Sequence, residues 1–232
     1  EPDSARIYYR KALDTFPPSS GVERVRARLS LATLPDLSGA ERIEQCEAVV
    51  AAQKEGTPSY YEALAELASE LREAGRTGEA FTNYNTIVRH HTDPTYLRAR
   101  TLIQLGDLLA ANNQPAAARQ QYLKLLEEFG DNHQWREEAS DRLLGLIKGS
   151  GRERLRRLQE TAAELKPYPG LVAKTELAAA SLMAELGRPD QALAALARIE
   201  EPDWAAARAR LEEASLHKKA GRDLDAILIL EQ

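Results

Sequence analysis

YEALAELASELREAGRTGEAFTNYNTIVRHHTDP, residues 61–94, decides how this chain folds. Its apolar residues Leu64, Leu67, Ala68 and Leu71 recur at intervals of three and four, which puts them on one face of a helix. Gly75 then breaks the pattern, and Ala80, Tyr84 and Ile87 resume it before Pro94. The segment therefore reads as two amphipathic helices joined by a short turn. Shifted by 38 residues, the same order returns as Leu102, Leu105, Gly106 and Leu109, then Asn113, then Ala118, Tyr122 and Leu125. Self-similarity at this period is the mark of a repeat architecture.

The pattern continues in both directions. Ala179, Ala180, Met183, Gly187, Ala192, Leu196 and Ile199 form one unit, and Glu213, Ala214, His217, Gly221, Ala226 and Leu230 the next. Gly75-Arg76, Gly187-Arg188 and Gly221-Arg222 hold the same place in their units. Taking Ala80, Ala118, Ala192 and Ala226 as markers of each second helix, even steps add Leu155, Ile43 and Ala5. A degenerate unit around Leu155 has Leu143 and Leu146 before it, and Ser150-Gly151 as its turn.

The periodicity and punctuation predict helices near 2–15, 21–34, 39–54, 58–74, 77–91, 94–112, 115–129, 133–148, 151–166, 169–187, 189–199, 203–220 and 223–231. Gly75, Gly187 and Gly221 suit left-handed positions after a helix. Thr57-Pro58 and Asp93-Pro94 look like caps followed by a first-turn proline. The units run approximately 1–20 (a half), 21–58, 59–94, 95–132, 133–168, 169–202 and 203–232. A single pair cannot bury both of its apolar faces, so stability must accumulate by stacking neighbours. The incomplete first and last units lead to the expectation that the repeat continues on both sides.

Composition agrees. The 232 residues are 43% apolar and 29% charged, enough for a core and a solvated surface. Ala and Leu dominate the apolar set, which suits packed helices better than sheet. A net charge of −5 argues against a general nucleic-acid binder, which needs a basic surface. The lone Cys46 allows no intrachain disulfide, and no apolar run reaches the roughly 20 residues of a membrane span. The compartment stays open between the cytoplasm and the periplasm or cell envelope.

This pattern resembles the tetratricopeptide repeat family. The closest unit reads Leu102, Leu105-Gly106, Leu109, Ala118, Tyr122, Leu125, against a family signature of a large residue, Leu-Gly and an aromatic, then Ala and an aromatic. The spacing is mostly 37–38 rather than 34, and the signature Trp is absent. The resemblance implies an all-α, right-handed solenoid of antiparallel helix pairs, about six to seven units with the first and last incomplete. It also implies a protein or peptide partner on the concave face made by the first helices. The family's groove positions fall on Glu62, Ser69 and Arg72; on Arg100, Ile103, Asp107 and Ala111; on Glu137, Ser140 and Lys148; and on Lys174, Ser181 and Glu185. The positions at which some members clamp a chaperone's C-terminal carboxylate carry Ala65 and Ser69, or Ile103 and Asp107, so that ligand does not fit.

Candidate chemistry gives way to plainer readings. His90-His91 with Asp93 suggests a metal, but adjacent side chains on a helix diverge, and zinc needs three or four convergent ligands. A histidine pair at a helix C-terminus is favoured electrostatically in any case. Cys46 sits among Ile43, Val49 and Val50 and reads as a buried, inert thiol. Arg152, Arg154, Arg156 and Arg157 interleave with Glu153, Glu160 and Glu164 at helical spacing, which reads as a self-paired surface. Glu127-Glu128 and Glu137-Glu138 read as parts of amphipathic faces. Trp135 and Trp204 are expected just before first helices, packed on the preceding turn, with an exposed peptide anchor as the alternative. No Gly-rich phosphate loop or nucleophile motif occurs.

The expectation is a non-catalytic interaction scaffold without metal or cofactor, inside a larger assembly. The stretches around Tyr84–His90 and Tyr122–Gly130 look like bacterial envelope-assembly repeat proteins. The alternatives are a structural spacer that self-associates through its terminal helices, or a regulatory helical domain of a larger enzyme or transcription regulator.

Overall fold

The computed structural model describes residues 2–15, 27–28, 30–31 and 37–231, with the backbone alone for residues 2–6. Among these residues the protein is all-α. Its helices are α1 (Pro2–Thr15), α2 (Gly39–Ala51), α3 (Pro58–Glu73), α4 (Thr77–His90), α5 (Tyr96–Ala111), α6 (Pro115–Phe129), α7 (His133–Gly145), α8 (Gly151–Glu164), α9 (Pro169–Glu185), α10 (Pro189–Leu196), α11 (Asp203–Lys219) and α12 (Asp223–Leu230). The helix expected at 21–34 lies outside the described residues except at 27, 28, 30 and 31, which are helical; the side chain of Ala5 lies outside them too.

The chain forms two compact units, Glu1–Ala139 and Ser140–Gln232. In the first, each helix from α2 to α6 packs on the next, and α3 also touches α5. In the second, each helix from α8 to α12 packs on the next, and α9 also touches α11. Both units thus repeat one motif: a helix pair whose first helix also meets the first helix of the following pair. The markers Ile43, Ala80, Ala118, Leu155, Ala192 and Ala226 are all buried. In the second unit, Ala173, Leu177 and Ala180 of α9 close with Leu196 of α10 and Ala205 and Ala209 of α11 into one core cluster. The alanines let three helices approach closely enough to share that interior.

Four of the turns within pairs are the same device. Gly75, Asn113, Gly187 and Gly221 have φ of 76°, 58°, 73° and 72°. At each, the next residue's N–H reaches back to a carbonyl of the helix's last turn: Arg76 to Leu71, Gln114 to Leu109, Arg188 to Met183, Arg222 to His217, at 2.8–2.9 Å. This double closure needs a left-handed residue, which glycine adopts without cost and asparagine tolerates. It reverses the chain within two residues, so the paired helices run antiparallel. The α7–α8 connection differs: Gly149, at φ 128°, makes the turn, and Ser150-Gly151 instead begins α8.

Several expected boundaries shift, with α2, α7 and α10 each ending three residues early. α5 begins at Tyr96 rather than 94, because the cap is Thr95, whose hydroxyl accepts the Arg98 N–H at 3.3 Å; Asp93 does not cap it. α7 ends at Gly145 rather than 148, where glycine weakens the helix. The Thr57-Pro58 cap forms as read, and α2 gains a Ser38/Glu41 capping box.

Arg98 is a charged residue inside the core of the first unit. It is 3% exposed and forks onto Glu128 of α6, with Nη2 at 2.7 Å from Oε1. Its Nη1 donates to the carbonyls of Val88 and His91 at 2.8 and 2.6 Å, closing the C-terminus of α4. One guanidinium therefore ties α4, α5 and α6 together. Glu128 is its counter-ion and not simply part of a solvated amphipathic face. Arg98→Ala should lower the stability of the first unit by about 3 kcal/mol, because Glu128 and two helix-end carbonyls lose their donor. Denaturant unfolding followed by circular dichroism measures it, and a loss below about 1 kcal/mol would show that the anchor is dispensable.

Gly106 is the second constraint. A methyl group there would meet Tyr122 Cζ at 2.8 Å. Tyr122 is fully buried, and its hydroxyl donates to Asp107 Oδ1 at 2.7 Å, so the ring cannot withdraw without losing that bond. Gly106→Ala should cost about 1–3 kcal/mol. Pairing it with Tyr122→Leu should recover part of the loss in the same unfolding measurement.

Candidate functional site

The first unit carries a groove of about 570 Å³ between the N-terminal half of α3 and the start of α5. Val49 of α2, Pro58, Ala63 and Leu97 supply its apolar surface, and Ser59, Glu62, Glu66, Asp93 and Arg100 its polar rim. The elements that build it follow from the sequence. Thr57 caps α3 and Thr95 caps α5, so both helices begin at this edge and present their first turns side by side. His91, the residue after α4, is buried here. Its Nε2 lies 2.8 Å from Thr95 Oγ1, and its ring rests at a 36° tilt against Tyr61 with centroids 5.1 Å apart. His90 is exposed, so the two histidines sit in different surroundings.

Charge in the groove is unbalanced. Arg100 Nη1 meets Glu66 Oε1 at 3.0 Å across the gap between α3 and α5. Glu62 and Asp93 line the same groove, are exposed, and have no ion pair among the described residues. Tyr96 stands at the rim with 67% of its surface exposed. Its ring is backed by that of Trp135, 5.3 Å away and 7% exposed. Trp135 lies in the first turn of α7 and not before it, and its ring supports an exposed tyrosine. Trp204 is half exposed on the first turn of α11, near Gly170.

The contact positions implied by the resemblance fall in several different surroundings. Glu62 and Arg100 line the groove of the first unit, and Ser181 and Glu185 line a second one, about 390 Å³, between α9 and α11. Several are already engaged: Arg100 with Glu66, Asp107 with Tyr122, Lys174 with Asp141 at 2.6 Å, and Ser181 with Glu212 at 2.8 Å. Ser69 and Arg72 lie beside the hydroxyl of buried Tyr84, Glu137 is half-buried, and Lys148 and Ala111 are exposed. Ile103 and Ser140, at 6% and 2% exposure, are buried and so unavailable to a partner. Asp93 and Tyr96 are among the groove residues that sequence reasoning misses, as are Ser59 and Glu66. Asp93-Pro94 looks like a helix cap in the sequence, and an exposed tyrosine at the first position of a helix leaves no periodic signal.

The arginine run of α8 is self-paired as expected at Arg156 and Arg157: Glu153 Oε1 lies 3.1 Å from Arg156 and 2.9 Å from Arg157, and Glu160 also pairs with Arg156. These exposed pairs hold Glu153 below the ordinary carboxylate range through the Arg156 and Arg157 hydrogen bonds. Among the described residues, no helix is long and apolar enough to cross a membrane.

No family model matches the chain, and no curated protein matches it. Among solved structures, the crystal structure of MamA is similar at 17% identity, covering 71% of this chain and 91% of that one, with a TM-score of 0.39.

Cys46 lies away from solvent on α2, 4% exposed. Burial, with smaller contributions from the Glu70 and Glu66 carboxylates, pushes its thiol up to about 11. The reactive thiolate is therefore scarce at neutral pH. Alkylation by iodoacetamide at pH 8 should run on the order of 100-fold slower in the folded protein than in denaturant. A native rate matching the denatured one would place the thiol at the surface.

Proposed function

We propose that the protein is a non-catalytic interaction scaffold of the tetratricopeptide type, which holds a protein or peptide partner along the edge formed by its first helices. What supports this most is the α3–α5 groove. It is open, partly apolar, rimmed by groups that retain hydrogen-bonding capacity, and walled by two helices that the stacking itself holds in place. A rigid groove of this kind receives a peptide without ordering costs of its own. The sequence's likeness to envelope-assembly repeats is the ground for setting the scaffold within a larger bacterial assembly.

A photo-crosslinking residue at Glu62, compared with one at Arg154 on the exposed face of α8, tests the reading in extract of the source cells. The expected result is a discrete protein adduct from position 62, weakened by Arg100→Glu, and none from position 154. Equal adducts from both positions, or none from position 62, would refute it.

A second reading, self-association, is favoured by one observation. Leu224, Ile227, Leu228 and Leu230 of α12 are exposed together with Leu211 of α11. Exposed apolar side chains at helical spacing, as in α12, promote association. Sedimentation velocity should show concentration-dependent self-association of the wild type that Leu228→Glu removes; a wild type that stays monomeric at high micromolar concentration would end this reading.

A further inference from the structure

We infer that the partner segment seated in the α3–α5 groove is cationic: a Lys or Arg side chain enters between Glu62 and Asp93 and lays its stem on the ring of Tyr96. The inference rests on the groove being a binding site and adds the chemistry of its occupant.

Complementarity carries it. Four charged side chains line the groove, three acidic and one basic. Arg100 is already committed to Glu66 at 3.0 Å, so the surplus is two carboxylates on a rim whose walls are partly apolar. The nearby guanidinium of Arg98 adds nothing to this balance, because it is buried and neutralised by Glu128. An acidic segment would meet Glu62 and Asp93 with no cation left to receive it, whereas a basic one restores neutrality.

The second feature is independent of charge. Tyr96 is two-thirds exposed, yet its ring is braced against the buried Trp135. A rigid, exposed aromatic beside unpaired carboxylates offers both parts of a cation site: a π face for the methylene stem or the guanidinium plane, and oxygen acceptors for the N–H groups. Lys and Arg alone combine a positive head with an apolar stem long enough to use both. The remaining walls, Val49, Ala63 and Leu97, suit a small or branched apolar residue next to that cation.

Selection of a random twelve-residue peptide library on the immobilised full chain tests this. Selected peptides are then titrated by fluorescence anisotropy against wild type, Glu62→Gln/Asp93→Asn, Tyr96→Ala and Ser59→Trp. Ser59 is exposed and lines the groove, so the tryptophan fills the groove while sparing the core. Circular dichroism confirms that each variant is folded. The expected result is enrichment of Lys or Arg beside an apolar residue, with affinity reduced about tenfold by Glu62→Gln/Asp93→Asn and by Tyr96→Ala, and falling as salt rises. Peptides that lose binding on Ser59→Trp but show no basic enrichment, or keep full affinity for Glu62→Gln/Asp93→Asn, would overturn the cationic assignment and leave the groove standing. Peptides indifferent to Ser59→Trp, or no selection above background, would overturn both.

Discussion

A helix pair has two apolar sides and only one interior. Leu196 and Leu230 show what this means, since they hold the same register position in pairs 34 residues apart. Leu196 is 1% exposed, closed over by Ala205 and Ala209 of the following first helix; Leu230, with no described helix packed beyond it, is 56% exposed. The difference between them is one neighbour. Burying a leucine contributes about 1.5–3 kcal/mol, so each added pair stabilises the one before it. The four closed turns serve this requirement by returning the chain within two residues, early enough for the second helix to lie on the first.

Stacking that hides the apolar faces also brings the polar edges of successive first helices side by side. Glu66 meets Arg100, Asp141 meets Lys174, and Ser181 meets Glu212, each linking one first helix to the next. The two ion pairs, partly open to solvent, contribute little stability individually. Their effect is on recognition: each ion pair uses up one acid and one base, and what they leave over defines the character of the surface. In the first unit the remainder is Glu62 and Asp93 beside Tyr96, a negative rim around an apolar floor.

Much of the fold was legible in the sequence because the governing signals are periodic. The Ala and Leu spacing, the marker ladder and the turn residues Gly75, Asn113, Gly187 and Gly221 each repeat, and repetition separates signal from accident. What stayed hidden was aperiodic. Arg98 gives no sign in the sequence that it is buried, because its partners are Glu128, thirty residues away, and two backbone carbonyls. Asp93 passed for a cap because Asp-Pro resembles one, while Thr95 two residues later made the bond. Ile103 and Ser140 stand where the resemblance to tetratricopeptide repeats implies groove positions, but here both are buried. The candidate site was half visible: Glu62 and Arg100 came from the resemblance to tetratricopeptide groove positions, and the tyrosine that completes it did not.

Hydrogen exchange of the backbone amides, resolved by residue on the whole chain, tests the stacking mechanism most directly. Where stability is a sum over neighbouring pairs, protection should be graded within each unit. It should be highest in α5, which is packed by α3, α4 and α6, and should fall from α9 through α11 to the bare-faced α12. A single common opening free energy for all protected amides from α3 to α12 would mean one indivisible core, and would contradict it.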